Sequence, residues 1–136
     1  MSIAEINRRV IERYRAGGEI EGIHRDRILL LTTTGARTGR RRTTPVMFHR
    51  DRGRLLVVAS NAGAPRHPDW YRNLAADPRV TVEVGGQAYQ AVARTLEGAD
   101  RARAWARLKR GYPFFASHEA RTERVIPVVV LTPVPG

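Results

Sequence analysis

The chain has no cysteine. Disulfides, thiolate metal ligands and cysteine nucleophiles are therefore excluded. Lysine is nearly absent as well: Lys109 is the only one among 24 basic residues, and the others are arginine. Aromatics make up 7% of the chain, which leaves few flat side chains for stacking unpaired bases. No apolar run approaches the roughly 20 residues that span a bilayer, and the N-terminus lacks a charged-then-apolar leader pattern. The expectation is a soluble cytoplasmic protein. Neither GxxxxGK[ST] nor GxGxxG occurs, so a P-loop and a dinucleotide fingerprint are both missing. His24, His49, His67 and His118 are scattered with no pair spaced for one helix face, and no metal site is expected. Ser60 lies outside any GxSxG elbow, which argues against a hydrolase nucleophile.

What the chain does have is positive charge. Its 24 Lys+Arg stand against 13 Asp+Glu, a formal net charge of +11. Such an excess calls for an anionic partner: a polyanionic cofactor, nucleic acid or an acidic membrane surface. At 136 residues the chain is expected to form a single domain with one core.

The stretch from Ile28 to Phe48 organises the rest. Ile28 to Thr33 reads as a core strand, and Thr43 to His49 as its returning partner. Between them Gly35 and Gly39 give backbone freedom to a turn that carries Arg37, Arg40, Arg41 and Arg42. With Thr38 as a hydroxyl donor, this turn suits a phosphate or carboxylate. A solvated hairpin tip without a ligand accounts for the same residues.

Ser2 with Glu5 forms a capping box for an amphipathic helix over about 2–16, which stops at Gly17 and Gly18. Arg8, Arg9, Arg13 and Arg15 mark its outer face, either as solvated charge on a barrel or as contacts to an anionic membrane surface. Further strands are expected at Leu55 to Ala59, Val80 to Val84, Gln87 to Leu96 and Val125 to Thr132. Helices are expected over DWYRNLAA, opened by Pro68, and over Asp100 to Arg110, while Tyr112 to Arg124 is irregular or briefly helical. Hairpins dominate, so the fold class is α+β, a mainly antiparallel barrel with short flanking helices. Ser60, Asn61 and Gly63 offer polar groups near Trp70 and Tyr71, although Trp70 as core and Asn73 as a loop cap fit the pattern equally.

Three segments together, GARTGRRRTTP (Gly35 to Pro45), VASNAGAPRHPDWYRNL (Val58 to Leu74) and YPFF…RVIPVVVL (Tyr112 to Leu131), resemble the deazaflavin-dependent nitroreductase and F420H2-dependent quinone reductase family. The resemblance implies a split β-barrel like that of the FMN-binding flavin reductases, spanning 1–136 and binding coenzyme F420, with FMN as the alternative. It assigns the phosphate and acidic tail to Arg37, Thr38 and Arg42, sets Pro45 beside the ring, and counts Ala36, Thr43 and Thr44 among the cofactor-binding residues. Val58, Ala59, Ser60 and Asn61 match the loop that hydrogen-bonds the deazaflavin, with Asn61 where lysine is often found. Trp70 and Asn73 match the helix that closes that side. On the acceptor side the resemblance points to Met47, Tyr112, Phe115 and His118, where nitro-reducing members carry more tyrosines. Phe115 cannot donate a proton, so hydrogen bonds to a developing oxyanion fall to Tyr112, Ser60, His118 or solvent.

The implied activity is hydride transfer from F420H2 to a small electron-poor acceptor such as a quinone or nitro compound. Its rivals are an FMN-using barrel, an F420 carrier without turnover, and a small basic nucleic-acid-binding barrel. Trp70 and Trp105 both fall in expected helices, which speaks against a stacking sheet face and against specific nucleic-acid binding. Monomer and homodimer are both open.

Overall fold

Short β-branched runs separated by glycine turns leave the chain few options beyond antiparallel pairing, and a computed structural model, described here for residues 2–135, shows that pairing closed on itself. The strands are β1 (Ile28–Thr34), β2 (Arg41–Asp51), β3 (Arg54–Val58), β4 (Arg79–Val84), β5 (Gln87–Thr95) and β6 (Val128–Pro133). They form a closed barrel in the order β1-β2-β3-β6-β5-β4, every pair antiparallel. Four helices flank it: α1 (Ile3–Ala16), α2 (Asp69–Ala76), α3 (Gly98–Gly111) and α4 (Phe114–Ala120). None of the described helices is long and apolar enough to cross a membrane.

Period-two alternation decides what the barrel encloses. On β1, Leu29 and Leu31 point inward to meet Val46, Val57, Val82 and Val129, while Leu30 points outward. Leu30 is no less buried, because α1 covers it with Val10 and Tyr14. A second outer cluster forms where Trp105 and Leu108 of α3 and Phe115 of α4 pack on Leu56, Val58, Val128 and Val130. Each fully buried aliphatic side chain contributes about 1.5–3 kcal/mol.

The first helix begins as its sequence dictates, with Ser2 Oγ accepting from the Glu5 N–H at 3.1 Å. The reciprocal half of the capping box differs, for Ser2 Oγ donates to the Glu5 carboxylate instead of the carboxylate reaching the Ser2 backbone. Helix α1 ends in a left-handed Gly17. Other expectations shift at their edges. The last strand begins at Val128, not Val125, which is 69% exposed; Pro127 lacks an N–H, and its carbonyl accepts from Ala59. Strand β2 extends two residues earlier than expected, because Arg41 and Arg42 pair with Thr34 and Thr33.

Candidate functional site

The turn between β1 and β2 is built by its glycines. Gly39 is left-handed at φ 71°, and its N–H donates to the Gly35 carbonyl at 2.9 Å. A Cβ on Gly35 would sit 2.8 Å from Thr38 Oγ1 and 3.2 Å from the Arg40 carbonyl, so a larger residue there displaces the Thr38 hydroxyl. Thr38 Oγ1 accepts from the Arg40 N–H at 3.2 Å, which leaves its own proton free to donate outward. Helix α2 is pinned beneath the turn by Asn73, whose amide oxygen accepts from the Ala36 N–H at 3.0 Å and whose amide nitrogen donates to the buried Thr33 hydroxyl at 3.1 Å. Asn73 thus ties helix to hairpin with both ends of its side chain.

This junction encloses a cavity of about 430 Å³ lined by Gly35, Ala36, Arg37, Thr38, Arg42, Arg66, Asp69, Arg72 and Asn73. Among the described residues Arg37, Arg42 and Arg66 have no carboxylate within ion-pairing distance, and Arg72 has only the exposed Asp69 at 4.0 Å. Unneutralised guanidinium groups around one concavity have the chemistry to hold an anion. Arg41, one residue from Arg42, is on the opposite face of β2 and is spent on structure: it donates to the hydroxyls of Thr34 at 2.9 Å and Thr81 at 2.8 Å.

A second cavity of about 530 Å³ adjoins the first, sharing Arg66, Asp69 and Arg72, and runs on past Thr44, Asn61, His67 and Trp70 to Ile3 and Asn7 of α1. Together the two make a groove with a cationic end and a mixed polar and aromatic end. Trp70 is 9% exposed in the barrel core and also forms part of the groove wall. Thr43 and Pro45 alternate with Thr44 and face the other side of β2, where the Thr43 and Thr32 hydroxyls meet at 2.8 Å.

The Val58 to Asn61 segment divides. Val58 is buried in the ladder with β6, and both polar groups of Ala59 are used within the protein, its N–H on the Pro127 carbonyl and its carbonyl on Arg124. Asn61 lines the second cavity, its amide nitrogen donating to the Arg66 carbonyl at 3.0 Å, while Ser60 is buried with its hydroxyl against His118. Asn61 and Ala62 are left-handed at φ 47° and 53°, a strained pair held against α4 by Gly63. A Cβ on Gly63 would meet the His118 carbonyl at 2.6 Å.

Of the expected acceptor residues His118 meets Ser60, and Met47, Tyr112, Phe115 and His118 all lie outside the lining of the two cavities. His118 Nδ1 is 3.2 Å from Ser60 Oγ, and burial followed by the charge of Arg121 lowers its pKa, favouring a neutral ring. Tyr112 is half-buried with its ring edge-on to His49 at 4.6 Å. Met47 is half-buried on β2 opposite Ile28. Phe115 differs from expectation: it is 3% exposed, packed on Trp105, His49 and Phe114, and lines neither cavity. Its helical position turns it into the core, so it has no open face for an acceptor. No group of three or more His, Asp or Glu among the described residues is placed to hold a metal.

Sequence reasoning passed over Arg66, Arg72 and Arg124. The first two lie inside the quoted APRHPDWYRNL segment, and their charge in a loop and first helical turn was a usable signal. Arg124 had none. An arginine before a closing strand looks like any other, yet its guanidinium reaches the carbonyls of Ala59, Ser60 and Ala64 and the ring of His67.

Comparison with known proteins gives the family and the fold. The family model for F420H(2)-dependent quinone reductase matches residues 6–133. An F420H(2)-dependent quinone reductase of Mycobacterium tuberculosis is 42% identical over 107 residues, covering 76% of this chain and 72% of the relative. A solved F420-H2 dependent reductase is 40% identical with a TM-score of 0.68, over 77% of this chain and 93% of that one. A structure described as a domain-swapped dimer is 37% identical with a TM-score of 0.71, over 96% and 99% of the two chains. The chain belongs to the F420H(2)-dependent quinone reductase family.

Proposed function

We propose that this protein is an F420H2-dependent oxidoreductase that reduces a small electron-poor acceptor, with quinones as the leading class. The observation that carries the reading is the arginine cavity, where Arg37, Arg42 and Arg66 stand unpaired around one concavity that opens into the Trp70 groove. Coenzyme F420 ends in a phosphate and several carboxylates, and a donor set of this kind matches that chemistry. When bound, the coenzyme supplies the hydride.

The chain's own residues bind and orient. Arg37, Arg42, Arg66 and Arg72, with the Thr38 hydroxyl, hold the phosphate and acidic tail through charge-assisted hydrogen bonds. Thr44, Asn61 and Trp70 form the walls for the ring system. Ser60 and Tyr112 supply hydroxyl donors toward oxygen charge developing on the acceptor, with His118 behind Ser60 as its hydrogen-bond partner. Asn73 acts indirectly, by fixing the turn on α2.

Two finer points belong to the same proposal. Ile3 and Ile6 are exposed on α1 beside Arg8, Arg9 and Arg13, a composition suited to reversible attachment at an anionic membrane face. The 37% identical domain-swapped structure makes a homodimer the assembly to test first, by light scattering.

Coenzyme fluorescence tests the central reading. Titration with F420 should show binding at micromolar protein, and adding a quinone to protein with F420H2 should restore the oxidised coenzyme's absorbance. Binding of FMN with none of F420 would overturn the proposal, and binding without acceptor-dependent oxidation would reduce the protein to a carrier.

A further inference from the structure

Arg124 lies on the irregular stretch between α4 and β6, and its guanidinium is committed entirely to one loop and one ring. Nε donates to the Ala64 carbonyl at 2.9 Å and Nη2 to the Ser60 carbonyl at 2.6 Å. Nη1 donates to the Ala59 carbonyl at 3.1 Å and lies 3.0 Å from His67 Nδ1. The three carbonyls belong to the segment that contains left-handed Asn61 and Ala62. A non-glycine residue in that region costs about 1–2 kcal/mol, so the loop needs an outside hold, and the planar fork of Arg124 provides it.

The contact with His67 has a chemical consequence. Arginine has no acceptor and stays charged, so His67 Nδ1 must be the unprotonated acceptor, and the neutral ring carries its proton on Nε2. Burial, then Arg124 and Arg72, lower the His67 pKa and favour the neutral ring. The other groups around it are the Tyr71 ring at 4.9 Å and, lining the same groove, Arg66 and the exposed Asp69. His67 itself lines the groove where it adjoins the arginine cavity.

We infer that Arg124 is a positioning residue for this groove: it sets the Ala59 to Ala64 loop and fixes His67 as an Nε2–H donor to an oxygen of the bound coenzyme. The donor half rests on the function proposed above; the positioning half does not. In ¹⁵N-histidine NMR of the protein without coenzyme, with His67 assigned through His67→Gln, the wild type should show the Nε2–H form across neutral pH. Arg124→Met should mix the tautomers, raise the His67 pKa and weaken F420 binding about tenfold, with Arg124→Lys intermediate and circular dichroism confirming the fold. His67→Gln should weaken F420 binding while the Arg124-held loop stays intact. An unchanged tautomer in Arg124→Met, or in Arg124→Gln should the methionine variant not fold, overturns the positioning role. Unchanged F420 affinity in His67→Gln overturns the donor role. A wild type that fails to bind F420 at all overturns the proposed function and the donor role together, and the tautomer measurement still decides the rest.

Discussion

The two ends of β2 use arginine in opposite ways. At the Asp51 end, Arg107 grips the Asp51 carboxylate with bonds of 2.6 and 2.8 Å, while Arg54 bridges it to Asp100. At the Arg42 end, Arg37, Arg42 and Arg66 surround a cavity with no carboxylate partner among the described residues. Paired arginine is part of the fold, whereas unpaired arginine around a concavity is a statement about a ligand. A net charge of +11 cannot tell the two apart, because it counts them alike.

The sharpest break of that contrast is Asp51→Ala. It removes a carboxylate that is 9% exposed and takes both hydrogen bonds from Arg107, while Arg54 keeps Asp100, and should cost about 3 kcal/mol of stability by urea melting while leaving F420 affinity within twofold. The converse variant, Arg37→Ala with Arg42→Ala, should weaken long-tailed F420 about a hundredfold by fluorescence titration and leave the urea midpoint unmoved. Its effect on a tail-less deazaflavin should be much smaller; equal loss for both ligands would remove these arginines from the tail.

Acid titration separates the ends next. Burial holds the His49 pKa down at about 4 against an ordinary 6.5, so between those values the unfolded chain takes up the proton first and stability falls as pH drops. The hydrogen bond from Arg107 is the main reason Asp51 lies at about 2 instead of 3.8. Its contribution is complete above about pH 4 and disappears as pH falls through 2. Stability should thus fall in two stages, the first worth roughly 3 kcal/mol and absent in His49→Phe. Smallest of all, Arg41→Ala should cost at most about 1 kcal/mol, since it loses two hydrogen bonds to threonine hydroxyls and no ligand contact. A drop in F420 affinity as large as that of Arg42→Ala would dissolve the distinction between neighbours on opposite faces of one strand.

Much of the architecture could be read directly. Alternating valines, glycine turns and capped helices specify strands and helices within a few residues, and the arginine turn, the Ser60 loop and the Trp70 helix mark three walls of one groove. Other features depend on contacts between distant parts of the chain. Phe115 reads as an acceptor residue until α4 is seen to turn it onto Trp105. Arg41 and Arg42 are adjacent in sequence and separated only by the side of the sheet each faces.

From the sequence alone came the strand count, the antiparallel class, the family and an arginine-rich turn, because local conformational preference and residue chemistry act over a few neighbours. The tertiary structure decided which charges are spent and which are available. Ion pairs such as Arg107 with Asp51, and the clasp of Arg124 on the Ser60 loop, join residues about sixty positions apart, and Coulomb attraction and hydrogen bonding depend on distance in space.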